Sequence, residues 1–547
     1  MKKFILGIIT LVTLSTHAQN NIRSSVSGNV ETNLQVLNED TLIGAFAPKE
    51  KAVMNTVMNI NGSVGKFRAG VRLESYLPAI AGYPNFYTGT GLGYRYAEYA
   101  GEQLNIKVGN FYEQFGNGLA LRAYENSALG IDNAFDGVNV KFIPRKGVEI
   151  KGLMGRQRYR FENGVVEKSN GIIRGLDGDI NLNELIPSFG DSKFKVTIGG
   201  SFVSRFQSVN DTTPPIVNIY AGRIDMRYKR FTFGAEYGYK GPDPALQNGF
   251  VYNTGHGALV NLGYSQKGLG IILTARSFDN FQFRADKKIV GNQLTTNFLP
   301  ATTNNHTYNL AGTLYPYAAN PSGEVAYQLD VLYTIPKKSK LGGKYGTKLH
   351  LNVAVATDHV RHKSGTNFAV DGVTYIGRPF DMKDSLYNFD FNMHVSRKFN
   401  KKWKASAHYY HFIFNNTVNP VTLLAKGYIK ADVGVIELQY KISRKHSIRG
   451  ELQALFTEKD RGNWAAALLE YTISPKWFFA IQDQYNYGHP DSALQLHYLL
   501  GSFGYIHNQT RFIFSYGKQR AGIVCVGGVC RPVPATNGIN FTMTHSF

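Results

Sequence analysis

The sequence predicts an all-β protein, a single large antiparallel transmembrane β-barrel. Three observations carry the prediction. Segments of about 10–14 residues alternate apolar and polar side chains along most of the chain. Very short connectors take turns with long polar ones. The chain opens on an export-type segment and ends on an alternating strand whose last residue is Phe547.

The opening reads Met1-Lys2-Lys3, an apolar run from Phe4 to Leu14, then Thr16-His17-Ala18. A basic start, a short apolar stretch and a small residue predict a secretory signal peptide over 1–18, with the barrel over 19–547. No cysteine follows Ala18, so no lipid anchor is expected at the new terminus. Farther on, no uninterrupted apolar run reaches the roughly 18 residues of a membrane helix. Only helices and closed barrels satisfy every backbone polar group in lipid, so entry into a membrane requires a closed barrel.

Alternation is clearest in 230–240, where Phe231, Phe233, Ala235, Tyr237 and Tyr239 share one face. Thr232, Gly234, Glu236, Gly238 and Lys240 share the other. The same pattern puts Arg68, Arg72 and Glu74 opposite Phe67, Ala69, Val71 and Leu73. It puts Asp390 opposite Phe389 and Phe391. In a barrel the apolar face meets lipid and the polar face lines the lumen, which makes Arg68, Arg72, Glu74, Glu236 and Asp390 candidate lumen residues. Across 428–442 the apolar parity flips between Val435 and Ile436, which predicts a β-bulge there.

Strand pairs are joined by connectors such as Gly65-Lys66, Lys229-Arg230, Lys267-Gly268 and Pro475-Lys476, while 78–90, 113–135, 241–254, 279–322, 359–384 and 519–537 are long. Short turns at the periplasmic end and long extracellular loops fit outer-membrane barrels, and pairing the segments gives about 24 strands, within a range of about 20–26. Stretches 279–322 and 359–384 carry no period and are expected to be mobile surface loops. The short turns are rich in Lys and Arg and the long loops in Asp and Glu. Simple solvation explains the polarity of the turns, and attraction to inner-leaflet headgroups would explain their sign.

Composition agrees with this reading. The 33 Tyr, 35 Phe and 57 Gly suit aromatic girdles and tight turns. The net charge of +21 suggests an anionic partner. Export leaves outer-membrane lipid rather than nucleic acid.

Segment 109–138, GNFYEQFGNGLALRAYENSALGIDNAFDGV, follows one strand and precedes another. In placement and mixed charge it resembles the constriction loop of general porins. That resemblance makes Glu113, Arg122, Glu125, Asp132 and Asp136 candidates for a field across a pore, with Arg122 facing the acids. The alternative is a structured loop with surface ion pairs. Cys525 and Cys530 stand in the last long loop, where Gly527-Gly528 permits the tight reversal a disulfide would need. No catalytic, phosphate-binding, metal or cofactor motif is present. His350, His394, His408, His411 and His497 are scattered on strands, and Asp358, His359 and His362 read as a solvated rim cluster.

The final strand, with Ile539, Phe541, Met543, His545 and Phe547 on one face, resembles the insertion signal of bacterial outer-membrane barrels. That resemblance makes Phe541, Met543 and Phe547 the residues read by the barrel-assembly machinery during biogenesis. With the GNFYEQFGNGLALRAYE stretch and the Cys-Val-Gly-Gly-Val-Cys loop, the chain resembles a Bacteroidota-type outer-membrane barrel of a family without an assigned activity. A TonB-dependent transporter would need a plug domain ahead of its barrel, yet alternation begins near Arg23. The expected location is the outer membrane of a Gram-negative cell. The expected role is a channel or transporter for a small polar solute rather than an enzyme. The alternative is a non-conducting scaffold of a secretion, assembly or surface complex.

Overall fold

The computed structural model describes residues 24–208, 213–363, 375–418, 426–526 and 529–547. The expected signal peptide, 1–18, and the expected reversal at Gly527-Gly528 lie outside these. Antiparallel strands follow one another around a ring: β1 (Ser24–Asn38), β2 (Ala52–Val64), β3 (Phe67–Tyr76), β4 (Gly89–Ala100), β5 (Leu104–Phe111) and β6 (Phe135–Arg145). Next come β7 (Val148–Glu162), β8 (Ile172–Asn181), β9 (Phe194–Phe206), β10 (Ile216–Tyr228), β11 (Phe231–Lys240) and β12 (Gly255–Gln266). The third quarter holds β13 (Leu269–Asp279), β14 (Gly323–Ile335), β15 (Thr347–Lys363), β16 (Tyr375–Lys398), β17 (Trp403–Asn415) and β18 (Tyr428–Lys441). The last holds β19 (His446–Phe456), β20 (Trp464–Ile473), β21 (Trp477–Tyr485), β22 (Leu500–His507), β23 (Thr510–Gln519) and β24 (Thr536–Ser546).

β24 pairs with β23 on one side and β1 on the other, so the sheet closes at 24 strands and leaves no free edge. A short strand, Val165–Lys168, extends from β7 outside the ring. At the seam Phe547 exchanges two 2.9 Å backbone hydrogen bonds with Gly28. Replacing Phe547 with aspartate puts a charge on the outer side of this seam. The expected result is a loss of assembled protein, seen as reduced heat-modifiable barrel in membrane fractions. Wild-type levels would show that the seam does not need Phe547.

Pairing register sets the two faces. In β11, Phe231, Tyr237 and Tyr239 are exposed on the outside, while Glu236 and Lys240 point inward and are buried. In β3, Phe67, Val71 and Leu73 lie outside, and Arg68, Arg72 and Glu74 lie on the lumen side. Asp390 takes the lumen side of β16. At the short-turn end aromatic residues pair across neighbouring strands on the outer face. Phe67 meets Tyr99 at 5.4 Å, Phe231 meets Tyr264 at 5.0 Å, and Trp403 and Trp477 each meet a tyrosine at 4.3 Å. Amphipathic rings at that level form the girdle of a membrane barrel.

Two expectations need correction. The β-bulge at Val435/Ile436 is absent: β18 keeps continuous register with both β17 and β19. Ala431, Val433 and Val435 point into the lumen and are buried, while Ile436 and Leu438 point out. An apolar lumen face has a partner inside the barrel. That partner comes from the second correction. Stretch 280–322 is no surface loop, since Phe281, Phe283, Ala285, Leu310 and Ala311 are at most 1% exposed. In 359–384, β15 and β16 run on as paired strands with register shifts, and residues 364–374 lie outside the described part.

Candidate functional site

Two loops fill the long-loop half of the lumen. The first, between β5 and β6, buries Phe115, Leu119, Ala120 and Leu121 completely. They join Leu153, Ile173, Val203, Val217, Ile219 and Leu259 from the wall with Phe281, Phe283 and Leu294 from the second loop. The wall makes room with glycines. A Cβ on Gly175 would come within 2.7 Å of the Phe115 ring, and on Gly238 or Gly257 within 2.5–2.6 Å of the Phe281 ring. No larger residue fits under either ring. The loops also bind each other: Arg122 N donates to Thr296 O at 2.7 Å, Phe298 N to Gly118 O at 2.9 Å, and Asn297 Nδ2 to Leu119 O at 3.1 Å.

A second apolar cluster lies against β15–β20. The short helix Asn309–Leu314 presents Leu310 and Ala311 to Tyr410, Phe412, Phe414, Ala431, Val433 and Trp464. Ahead of that helix, Thr303 and His306 both hydrogen-bond Asp390 at 2.6 Å, and Tyr308 OH meets His408 Nε2 at 2.8 Å. Register brings His350, His394 and His408 into line, with rings 5.3 and 4.5 Å apart. These three are therefore neighbours rather than scattered. Among the described residues no group of three or more His, Cys, Asp or Glu could hold a metal ion. His359 is 1% exposed and faces His256, so it is not part of a solvated rim. Asp358 pairs with Arg361 at 2.7 Å, and the side chain of His362 lies outside the described residues.

The charged residues of the first loop anchor it to the wall. Asp132 pairs with Arg72 and, at 2.8 Å, with Arg158. Glu125 pairs with Arg72 at 2.7 Å and Glu113 with Lys151 at 3.1 Å. Asp136 belongs to the wall strand β6 itself and pairs with Arg95 of β4 at 3.2 Å and with Lys168. Glu74 joins Arg72 and Arg158 at 2.8 and 2.7 Å. Glu236 accepts the backbone N–H and the side-chain amide of Asn117, both at 2.8 Å. Arg122 does not face the acids. Its guanidinium lies over the rings of Phe298 and Tyr124, 4.0 and 4.7 Å from their centres. Arg68 lies exposed on the lumen side.

Cys525 and Cys530 are bonded across a hairpin of Gly522–Val526 with Val529–Val533. Asn292 of the second loop donates to Cys530 O at 2.9 Å, so this hairpin rests on the lumen filler. At the short-turn end a polar vestibule of about 740 Å³ remains, lined in part by Lys146, Lys195, Asp225, Arg227 and Asn261 and bordered by Asn117. The sequence reading missed the whole of 280–322. The signal lay on the wall, in lumen-face glycines and in apolar residues where lumen polarity was expected.

Among solved structures, the chain is similar to the siderophore receptor PirA from Pseudomonas aeruginosa, at 9% identity and TM-score 0.42, covering 96% of this chain and 81% of that one. It is similar to the P pilus usher PapC translocation pore at 7% identity and TM-score 0.39, with 96% and 99% covered. A BenF-like porin from Pseudomonas fluorescens Pf-5 gives 11% identity and TM-score 0.34, with 85% and 98% covered. No curated protein matches the sequence. The model of the family of unknown function DUF6029 matches residues 1–547, and the chain belongs to that family.

Proposed function

We propose that the protein is an outer-membrane transporter for small polar solutes, gated by the two loops within its lumen. One observation carries this reading: the wide interior of a 24-strand barrel is filled at one end by loop segments and left polar at the other. The loops meet the wall through side-chain packing, hydrogen bonds and ion pairs, so they can move without unzipping the paired strands. The apolar girdle would sit in outer-membrane lipid, and the closing strand with Phe541, Met543 and Phe547 would be read by the assembly machinery. The extent of apolar packing in both clusters supports a second reading, a non-conducting scaffold.

The test is single-channel recording in planar bilayers. Asn280 N lies 3.4 Å from Ser322 O, so the second loop leaves and rejoins the wall at one point. It can be replaced over 285–318 by a short glycine–serine link without stretching the strands. Brief, small openings are expected for the wild type and steady, larger conductance for the shortened variant. A folded variant that stays silent over a range of salts and voltages would overturn the transporter reading in favour of the scaffold.

A further inference from the structure

A cavity of about 300 Å³ opens beside the filler at the long-loop end. Arg205, at the end of β9, and Lys240, at the end of β11, reach it from the wall, and Arg284 reaches it from the second loop. Asp243 answers two of these cations, at 2.6 Å from Arg205 and 3.4 Å from Lys240. Arg361 also borders the cavity and has Asp358 at 2.7 Å and Asp279 at 3.4 Å.

Arg284 is held differently. It is 3% exposed, and its guanidinium donates to Gln293 O, Gly291 O and Gln247 Oε1, all neutral acceptors. Arg284 Nε and the neighbouring Gln282 Oε1 meet no hydrogen-bond partner among the described residues. Burial lowers the Arg284 guanidinium to about 10, which still leaves it charged at neutral pH. Arg205, Lys240 and Arg284 therefore converge on Asp243, with Asp279 also acting on Lys240, where water is scarce. A buried charge whose hydrogen bonds all go to neutral dipoles is costly, and a further ion of opposite sign offsets that cost. Guanidinium groups also match the two-oxygen edge of carboxylates and phosphates. An adjoining cavity of about 340 Å³ shares Gln247, Gln282 and Arg284 and continues to the disulfide-closed hairpin, which leaves space for the rest of a solute.

We propose that this basic cavity is an anion-binding subsite that takes the carboxylate or phosphate group of a small solute between Arg205, Lys240 and Arg284. It names the solute class for the transporter proposed above, and rests on that reading for passage but not for binding. Attraction of this kind weakens with salt.

Calorimetric titration of the full-length protein in non-ionic detergent at low ionic strength tests the subsite, with inorganic phosphate and citrate as separate probes. Saturable binding of at least one probe is expected, and which one binds separates phosphate from carboxylate chemistry. Gln247→Glu sets a carboxylate beside Arg284 in nearly the same shape and is expected to weaken binding about tenfold or more. Arg284→Gln should do the same, and Gln247→Glu carries the test if Arg284→Gln fails to fold. The proposal is overturned if neither probe binds the wild type, or if Gln247→Glu folds and binds as the wild type does. Binding by a barrel that never conducts would keep the subsite while removing the transporter reading.

Discussion

Replacing Arg158 with methionine is expected to destabilise the barrel by about 3–5 kcal/mol, because it leaves buried carboxylates without their counter-charge. Arg158 is 3% exposed and holds both oxygens of Glu74, at 2.8 and 2.7 Å, along with Asp132 at 2.8 Å. With Arg158 gone, Glu74 and Asp132 must share Arg72, which already serves Glu125. Methionine keeps apolar volume beside Tyr87 and Phe161, whose rings lie 5.5 and 5.4 Å from the guanidinium, so lost packing adds little. Urea unfolding in lipid vesicles measures the loss. Limited proteolysis should also cut the β5–β6 loop faster, since Asp132 ties that loop to the wall. Adding Glu74→Gln removes one stranded charge, so the double variant should be less destabilised than the two single losses combined, by about 0.5–3 kcal/mol. A loss under about 1 kcal/mol for Arg158→Met would place the network among solvated ion pairs of little worth, and the loop would need another anchor.

Phe231 to Lys240 shows what the sequence reveals well. A strand with one face in lipid and one in the lumen must alternate, and the alternation is written residue by residue. Turn spacing then yields the strand number. The filler obeys no such rule. Phe281 and Phe283 lie in irregular backbone and Leu310 in a helix of six residues, so no extended period marks them as buried. Their trace is on the wall, where Val433 and Val435 sit on a face that an open lumen would make polar. A bulge is the simplest account of that parity only for a lumen that holds water. The acids of 113–136 were visible as charges, but their partners were not. Asp132 and Arg72 are 60 residues apart in sequence, and Glu74 and Arg158 are 84 apart, so only the closed barrel and the loop folded inside it bring them together.

Ala235→Arg is expected to cost about 2–4 kcal/mol, whereas Gly234→Arg next to it should be mild, and the contrast tests which side of β11 faces lipid. Ala235 lies mid-strand, between Ile224 of β10 and Val260 of β12, on the face that carries Phe233 and Tyr237. A guanidinium there must sit in hydrocarbon or drag water and headgroups inward. Gly234 lies between Asp225 and Asn261 and lines the polar vestibule. A Cβ at Gly234 would be 2.9 Å from Asp225 Oδ1, so the flexible carboxylate must swing aside slightly, and an arginine there then has it as a partner and stays near water. Folding into vesicles, followed by heat-modifiable gel mobility and urea midpoints, separates the two. The penalty at Ala235 should shrink toward about 0–1 kcal/mol if the same change is moved to the girdle level, for example at Phe231, because the cost depends on depth. Equal losses at Ala235 and Gly234 would mean that β11 does not present these faces to lipid and lumen, and the membrane register of the barrel would have to be redrawn from this strand outward.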